Sequence, residues 1–582
     1  MPAGLYVAPG QRVRAPLQGR VRVGLVVALR PDDERTLQPI HAAVESVPIV
    51  SPSTLELTRW AAEQSLSSWG ATALALLPPP GRRGELPVAP PPVTRAAGAP
   101  PLPQCWIDTR REDRLAEAVR LAPGPVLVIA PDIARSAALA AALDGQRLDS
   151  GVGEDARRSG WFAAARGRAR VSVGTRSALL VPLPPPATLV LVDEHDPGHK
   201  PPGPPRLHSR ELLERRAVVE AASLLSLSAT PAVETWHAMT SGAYERVDDG
   251  AGGWPEVVIA DPRGVLRNHP LTLPLTRAIE EATRSGQSAA LIAGRNAGAL
   301  GCDDCGLVLR CPDCGIALAF SRTDRSLSCR LCARQEPVPE ACPGCRSHRL
   351  SQFGWSPERI ETSLRKRFPR LRVIRAAEAT ASRGRAAPPS PAGAHVLVGT
   401  PALLRTLPRR RLASVGFVAL DPLLGAPDFR AGERAFQALW AAAEALDPAG
   451  RLIVQTHHPE HPAVQAVRHR DREQFYRPEL RFREESGYPP FRRLCALEIR
   501  GRNVQVAGDL AARCAAAVSG VDGLTVYAPL PLGPASTRAT RWRLLIKGDA
   551  RLPGLLREPL LPYLERGRRG GGVVEIEMDP VS

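Results

Sequence analysis

The sequence predicts an α/β protein. It reads as two tandem parallel-sheet units, with a cysteine-rich segment inserted in the second, a β-rich module ahead and an α+β domain behind. Three observations carry this. Continuous apolar runs such as Val126-Leu127-Val128-Ile129-Ala130 and Leu189-Val190-Leu191-Val192 alternate with helical stretches, as strands covered on both faces do. The alternation occupies residues 104–240 and starts again over 270–480. Eight of the eleven cysteines fall between Gly301 and Ser347, inside the second unit.

At 582 residues, three to five domains are expected. The net charge is +17 and the pI about 10.1, and almost all of the excess is arginine. A polyanionic partner suits that balance. No apolar run reaches ~18 residues and no signal-peptide pattern opens the chain, so the reading is a cytoplasmic protein without a membrane span.

Taken in order, Arg12-Val13-Arg14-Ala15-Pro16 and Val21-Arg22-Val23-Gly24-Leu25 alternate with period two and read as small strands. A helix follows, with Ser53 as its expected N-cap. Three proline clusters between 78 and 103 mark a linker. In the first unit the runs ending at Gly174-Thr175-Arg176, Asp193-Glu194 and Ser228-Ala229-Thr230 place polar residues at the carboxyl ends of strands, where open sheets hold ligands. In the second unit Ala289–Ala293, Val373-Ile374, Val396–Gly399, Phe417–Leu420 and Leu452–Gln455 are the strands, with a polar loop over 375–394. Strands near 494–499, 542–546 and 573–577, with a helix near 504–518, make the last domain α+β.

The cysteines form four C-x-x-C pairs: Cys302/Cys305, Cys311/Cys314, Cys329/Cys332 and Cys342/Cys345. Such a turn aims both sulfurs at one point, and two turns supply the tetrahedral thiolate set of structural zinc. Four knuckles pair in three ways. The 14-residue stretch 315–328 between the inner knuckles is long enough for a hairpin, which favours a nested arrangement. Cys302, Cys305, Cys342 and Cys345 would then hold one zinc, and Cys311, Cys314, Cys329 and Cys332 a second. Closed four-thiolate sites are structural, and the metal supplies folding energy that so short a segment cannot draw from a core.

Two such units, with Asp193-Glu194 after one strand and Ser-Ala-Thr after the next, have the outline of two RecA-like helicase lobes. In a motor of that kind the aspartate holds magnesium and the glutamate activates water. The phosphate cradle G-x-x-x-x-G-K-[ST] is missing, because residues 104–117 carry neither glycine nor lysine. Residues 437–444 likewise lack the Gly-Arg pattern that would supply arginine fingers. Asp193 and Glu194 are therefore read as a degenerate acidic motif, with no catalytic residue and no ATP hydrolysis expected.

Together these features resemble the primosomal protein N′ (PriA) family of bacterial replication-restart proteins. The resemblance rests on residues 9–16, 174–179, 192–196 and the cysteine segment. It continues through Pro427-Asp428-Phe429-Arg430, Glu433-Arg434, Gln455-Thr456, Tyr488-Pro489-Pro490-Phe491 and 541–547. It implies the same nested zinc pairing, and an N-terminal domain that binds the 3′ end of a nascent DNA strand. It also implies forked or single-stranded DNA, primosome and helicase-loading proteins and single-stranded DNA-binding protein as partners, in a nucleoid-associated setting. The family's winged helix has no room here, and the acidic residue of its 3′-end pocket would fall before Met1.

The resulting domains are a β-rich DNA-binding domain (1–80), a Pro-rich linker (81–103), lobe one (104–265), lobe two (266–300 and 348–485), the zinc segment (301–347) and a C-terminal domain (486–582). Arg12, Arg14, Arg20, Arg176, Arg541 and Lys547 are the candidate DNA contacts, and Trp60, Trp69, Trp355 and Trp542 candidates for stacking on bases. The functional expectation is a replication-restart primosome protein that binds branched forks and recruits the helicase-loading machinery without unwinding. The alternatives are an active ATP-dependent 3′-5′ helicase and a zinc-dependent protein-interaction module with no DNA role.

Overall fold

The computed structural model describes residues 6–17, 19–29, 38–80, 100–107, 111–248, 252–262, 270–293, 299–313, 315–321, 325–329, 334–352, 355–376, 395–407, 411–532, 540–566 and 572–581. Most of the expected linker, most of the 375–394 loop, Cys314 and Cys332 lie outside them. The chain divides into two compact units, with the main division between Asp249 and Gly250.

In the first unit, Arg12–Leu17 pairs antiparallel with Arg20–Leu25 and with Ala42–Ala43. The helix Pro52–Gln64 is capped by Ser51, whose side chain accepts from the Thr54 amide, and not by Ser53. Ser51 wins because Pro52 then stands at the first helical position, where its missing N–H costs nothing. This module is not an independent core. Ile49, Leu55, Leu57 and Ala61 share one buried cluster with Leu127, Trp161, Leu179 and Leu212 of the α/β layer.

The seven-stranded sheet of the first unit runs Glu245–Asp248, Gln104–Ile107, Ser223–Ser228, Thr188–Val192, Val126–Ile129, Val171–Gly174, Gln146–Arg147, parallel throughout. Its central strands are buried along their whole length, which is why they read as unbroken apolar runs.

The second unit has a six-stranded parallel sheet in the order Glu256–Ala260, Leu446–Gln455, Leu412–Phe417, Ala289–Ile292, Val396–Gly399, Val373–Arg375. The sequence reading placed Glu256–Ala260 in lobe one. Its backbone instead pairs with Leu446–Gln455, so lobe two begins ahead of residue 266. Both sheets are parallel, as the unbroken apolar runs predict. The C-terminal sheet is built from Thr525–Val526, Thr540–Gly548, Arg493–Gly501 and Gly572–Met578, with the helix Val504–Val518 packed on it. No helix among the described residues is long and apolar enough to cross a membrane.

Candidate functional site

The cysteine segment is built from one repeated turn. The amides of Cys302, Cys311, Cys329 and Cys342 each donate to the carbonyl five residues on, those of Leu307, Ile316, Arg334 and Ser347, at 2.7–2.9 Å. Gly306, Gly315 and Arg346, each just after the second cysteine of a knuckle, have positive φ. At Gly306 a Cβ would stand 2.0 Å from the His457 Cβ, so the turn needs glycine twice over. The Asp304 and Gly344 amides donate to the Cys302 and Cys342 sulfurs at 3.4 Å, as they would to thiolates.

The outer knuckles are brought together by the antiparallel ladder between Leu300–Cys302 and Leu350–Gln352. Cys302 Sγ lies 3.5 Å from Cys345 Sγ, and Cys305 Sγ 3.6 Å from Cys342 Sγ. All four sulfurs fall within 4.8 Å of one another, so this set can hold a metal ion. Burial opposes a thiolate at Cys342, yet the Cys345 and Gly344 amides and the Cys305 thiol outweigh it and bring the group down to about 7. Soft, clustered sulfur donors fit zinc.

The inner knuckles flank the three-stranded meander Ala319–Ser321, Ser326–Ser328, Gln335–Pro337. Their described cysteines, Cys311 and Cys329, are fully buried. They share an apolar cluster with Phe429 of lobe two, with Tyr488, and with Leu494, Ala496 and Leu545 of the C-terminal sheet. The outer set is different, with Cys345 exposed and Cys305 half-buried. On its lobe-two side the outer set rests on a polar turn. The Gly306 carbonyl meets His458 Nε2 at 2.7 Å, and Asp421 holds the Thr456 hydroxyl at 2.5 Å and His457 Nδ1 at 3.0 Å.

The acidic motif sits at the carboxyl end of the Thr188–Val192 strand. Asp193 has φ +52° and faces Arg111 at 2.7 Å and Arg135 at 3.5 Å. The Arg111 contact is an ion pair without hydrogen-bond alignment. Arg111 opens the helix Arg111–Leu121, which follows the Gln104–Ile107 strand where a phosphate loop would stand. Glu194 is fully buried, accepts from the Ala232 amide at 2.7 Å and pairs with Arg210 at 3.2 Å. Burial raises its pKa to about 7 despite the pull of Arg210. His195 Nδ1 meets the Ser228 hydroxyl at 2.7 Å, joining the acidic motif to the Ser-Ala-Thr turn. Arg111, Arg135 and Arg210 were not among the sequence candidates. The Arg110-Arg111 pair just after the first strand was the available signal.

The proposed DNA contacts separate. Arg14 and Arg20 are exposed on the N-terminal ribbon. Arg12 is buried and ion-paired with Glu45, and also donates to the Pro78 carbonyl, so it holds the module together and is not a phosphate contact. Lys547 is likewise buried. Its ammonium lies 3.9 Å from the Tyr488 ring centroid and donates to the Ser486 carbonyl, a packing role. Arg176 is half-buried against the Gly203 carbonyl, and Arg541 is exposed but paired with Glu498 at 2.7 Å. Among the tryptophans, Trp60 and Trp355 pack against core clusters, and Trp69 donates to Thr58. The Trp542 indole nitrogen is buried.

Residues 1–78 match a family model described as the 3'DNA-binding domain (3'BD) of PriA, and residues 484–581 one described as the primosomal protein N C-terminal domain. The chain is 29% identical to the replication restart protein PriA of Treponema pallidum, over 98% of this chain and 95% of that protein. It is 28% identical to PriA of Bacillus subtilis and 31% identical to that of Synechocystis, over 74% of this chain in both cases. It spans 56% and 55% of those two proteins, about half their length. Models of one family, PriA, match the chain at both ends, and a PriA protein is similar to it along nearly its whole length.

Proposed function

We propose that this protein binds stalled or branched DNA forks and helps recruit the machinery that loads the replicative helicase, and that it does so without unwinding DNA. One observation carries the non-motor half of this reading: Arg111 lies 2.7 Å from Asp193. In a phosphoryl-transfer motor that carboxylate must be free to hold magnesium. Here a guanidinium sits against it, Arg135 is a second partner, and Glu194 is engaged by Arg210 and a backbone amide. The DNA half is supported by the match of residues 1–78 to a 3′-DNA-binding domain and by the replication-restart naming of the relatives.

The cysteine segment would carry two zinc ions. The outer set is Cys302, Cys305, Cys342 and Cys345. The inner set is Cys311, Cys314, Cys329 and Cys332, by analogy of the repeated turn. Zinc would supply rigidity only, since four thiolates leave no open coordination position. The exposed outer site is suited to hold protein partners, among them primosome, loading and single-stranded DNA-binding proteins, while the buried inner site is suited to tie segments together.

The test pairs a fork-binding titration with DNA-stimulated ATP hydrolysis. Salt-sensitive fork binding without turnover is expected. ATP turnover that disappears in Asp193→Asn overturns the non-motor reading, and forks bound no better than plain duplex overturn the fork reading.

A further inference from the structure

We propose that the helix Pro357–Arg367 and the turn after it form a second nucleic-acid contact in lobe two, one that takes the phosphate backbone of a duplex arm. The proposal rests on the DNA-binding reading above. Residues 355–376 carry seven arginines and lysines against two glutamates, a net +5 out of +17 for the whole chain. The two glutamates are already used. Glu361 pairs with Arg365 at 3.0 Å, and Glu358 with Arg375 at 2.7 Å. Arg359, Lys366, Arg367 and Arg370 remain, all exposed and none in an ion pair among the described residues. Elsewhere on the surface, arginines such as Arg59, Arg215, Arg334 and Arg451 are matched by a carboxylate.

The cations are held on a rigid support. Ile360 and Leu364 are fully buried in the core of the second sheet and fix the helix. Arg359 and Lys366 are seven residues apart and so lie on one side, ~10 Å from each other along the axis. Arg370 and Arg372 precede the Val373–Arg375 strand, at the amino ends of the parallel strands. Thr400, Asp421 and Thr456 mark the opposite, carboxyl-end edge. The patch is therefore separate from the edge on which Thr400, Asp421 and Thr456 lie.

Two features select the ligand. Cations in the last turn complement the helix dipole, which explains Lys366 and Arg367 but neither Arg359 in the first turn nor Arg370 beyond the end. The local aromatics are not open platforms. Trp355 and Phe368 pack against the core and lie under Arg359 and Arg367, at 4.5 and 5.6 Å from ring centroid to guanidinium. Single-strand binding relies on stacked bases, whereas charge without stacking suits the backbone of a duplex.

The experiment measures the salt dependence of forked and plain duplex DNA binding for the full chain and for Lys366→Gln/Arg367→Gln/Arg370→Gln. Each lost phosphate contact lowers the slope of log K against log salt by about 0.9, so the triple variant is expected to lose about 2.7 on both DNAs. The charge-keeping Lys366→Arg/Arg367→Lys/Arg370→Lys variant should retain the wild-type slope, which separates charge from folding. The single Lys366→Gln should lose about 0.9. An unchanged slope in the triple variant overturns this proposal alone. Wild-type protein that binds no DNA in a salt-dependent way overturns both this proposal and the reading it rests on.

Discussion

Replacing Arg111 with methionine tests whether Asp193 is a structural carboxylate. The Asp193 and Arg111 side chains are 16% and 7% exposed, so the pair is largely shielded from water. Removing one partner of a buried pair costs about 3–5 kcal/mol, because the remaining charge is left uncompensated. Arg135 stays at 3.5 Å and recovers part of that, which brings the expected loss to about 2–3 kcal/mol. For a unit of this size the melting temperature should fall by roughly 4–12 °C. Differential scanning calorimetry of the intact chain reads this directly. The double variant Arg111→Met/Asp193→Asn should recover most of the loss, since the orphaned charge is gone. Magnesium-ATP should leave the wild-type transition where it is. Two results refute the reasoning: an Arg111→Met melt equal to wild type, or a wild-type melt that magnesium-ATP raises and Asp193→Asn abolishes.

Other perturbations report on different parts of the molecule. Cys302→Ser should release one zinc by metal analysis and leave the second. Cys329→Ser should release the other and lower the melting temperature further, because its sulfur lies in an apolar core. Arg483 is fully buried between Glu433 at 2.8 Å and Glu479 at 2.9 Å, so Arg483→Leu should cost about 3–5 kcal/mol in unfolding titrations. His199 donates from Nε2 to the Val192 carbonyl while its Nδ1 is buried without a partner, and burial depresses its pKa to about 4. The folded protein therefore binds fewer protons than the unfolded chain between pH 6.5 and 4. That part of the stability is present above pH 6.5 and is lost as pH falls, by up to about 3 kcal/mol. His199→Gln should flatten this acid limb in melts recorded from pH 7 to 4.

What the sequence revealed and what it hid follow from how local each interaction is. The outer cysteine set was legible because two C-x-x-C turns bring four thiols to one point, which the structure does for Cys302, Cys305, Cys342 and Cys345. The central strands were legible because burial on both faces writes an unbroken apolar run. Arg12 and Lys547 misled, because a charged residue reads as surface until its distant partners, Glu45 and the Tyr488 ring, are placed. Arg111 was invisible for the same reason, since Asp193 reaches it only through the sheet order. The Glu256–Ala260 strand was assigned to the wrong unit because strand pairing follows backbone register with Leu446–Gln455, which no local pattern encodes.

The burial of Cys311 and Cys329 against Leu494, Ala496 and Leu545 also sets an order for biosynthesis. Cys329 leaves the ribosome 165 residues ahead of Leu494, which at about 5–20 residues per second is roughly 8–33 s. During that interval the inner cysteines are made but not yet covered. The ion proposed for them is best captured then, while the nascent chain is still open. Once the C-terminal sheet has closed over the pair, exchange requires that sheet to come away. An inner metal would thus be set by supply at the moment of synthesis, and an outer one by the conditions the finished protein meets.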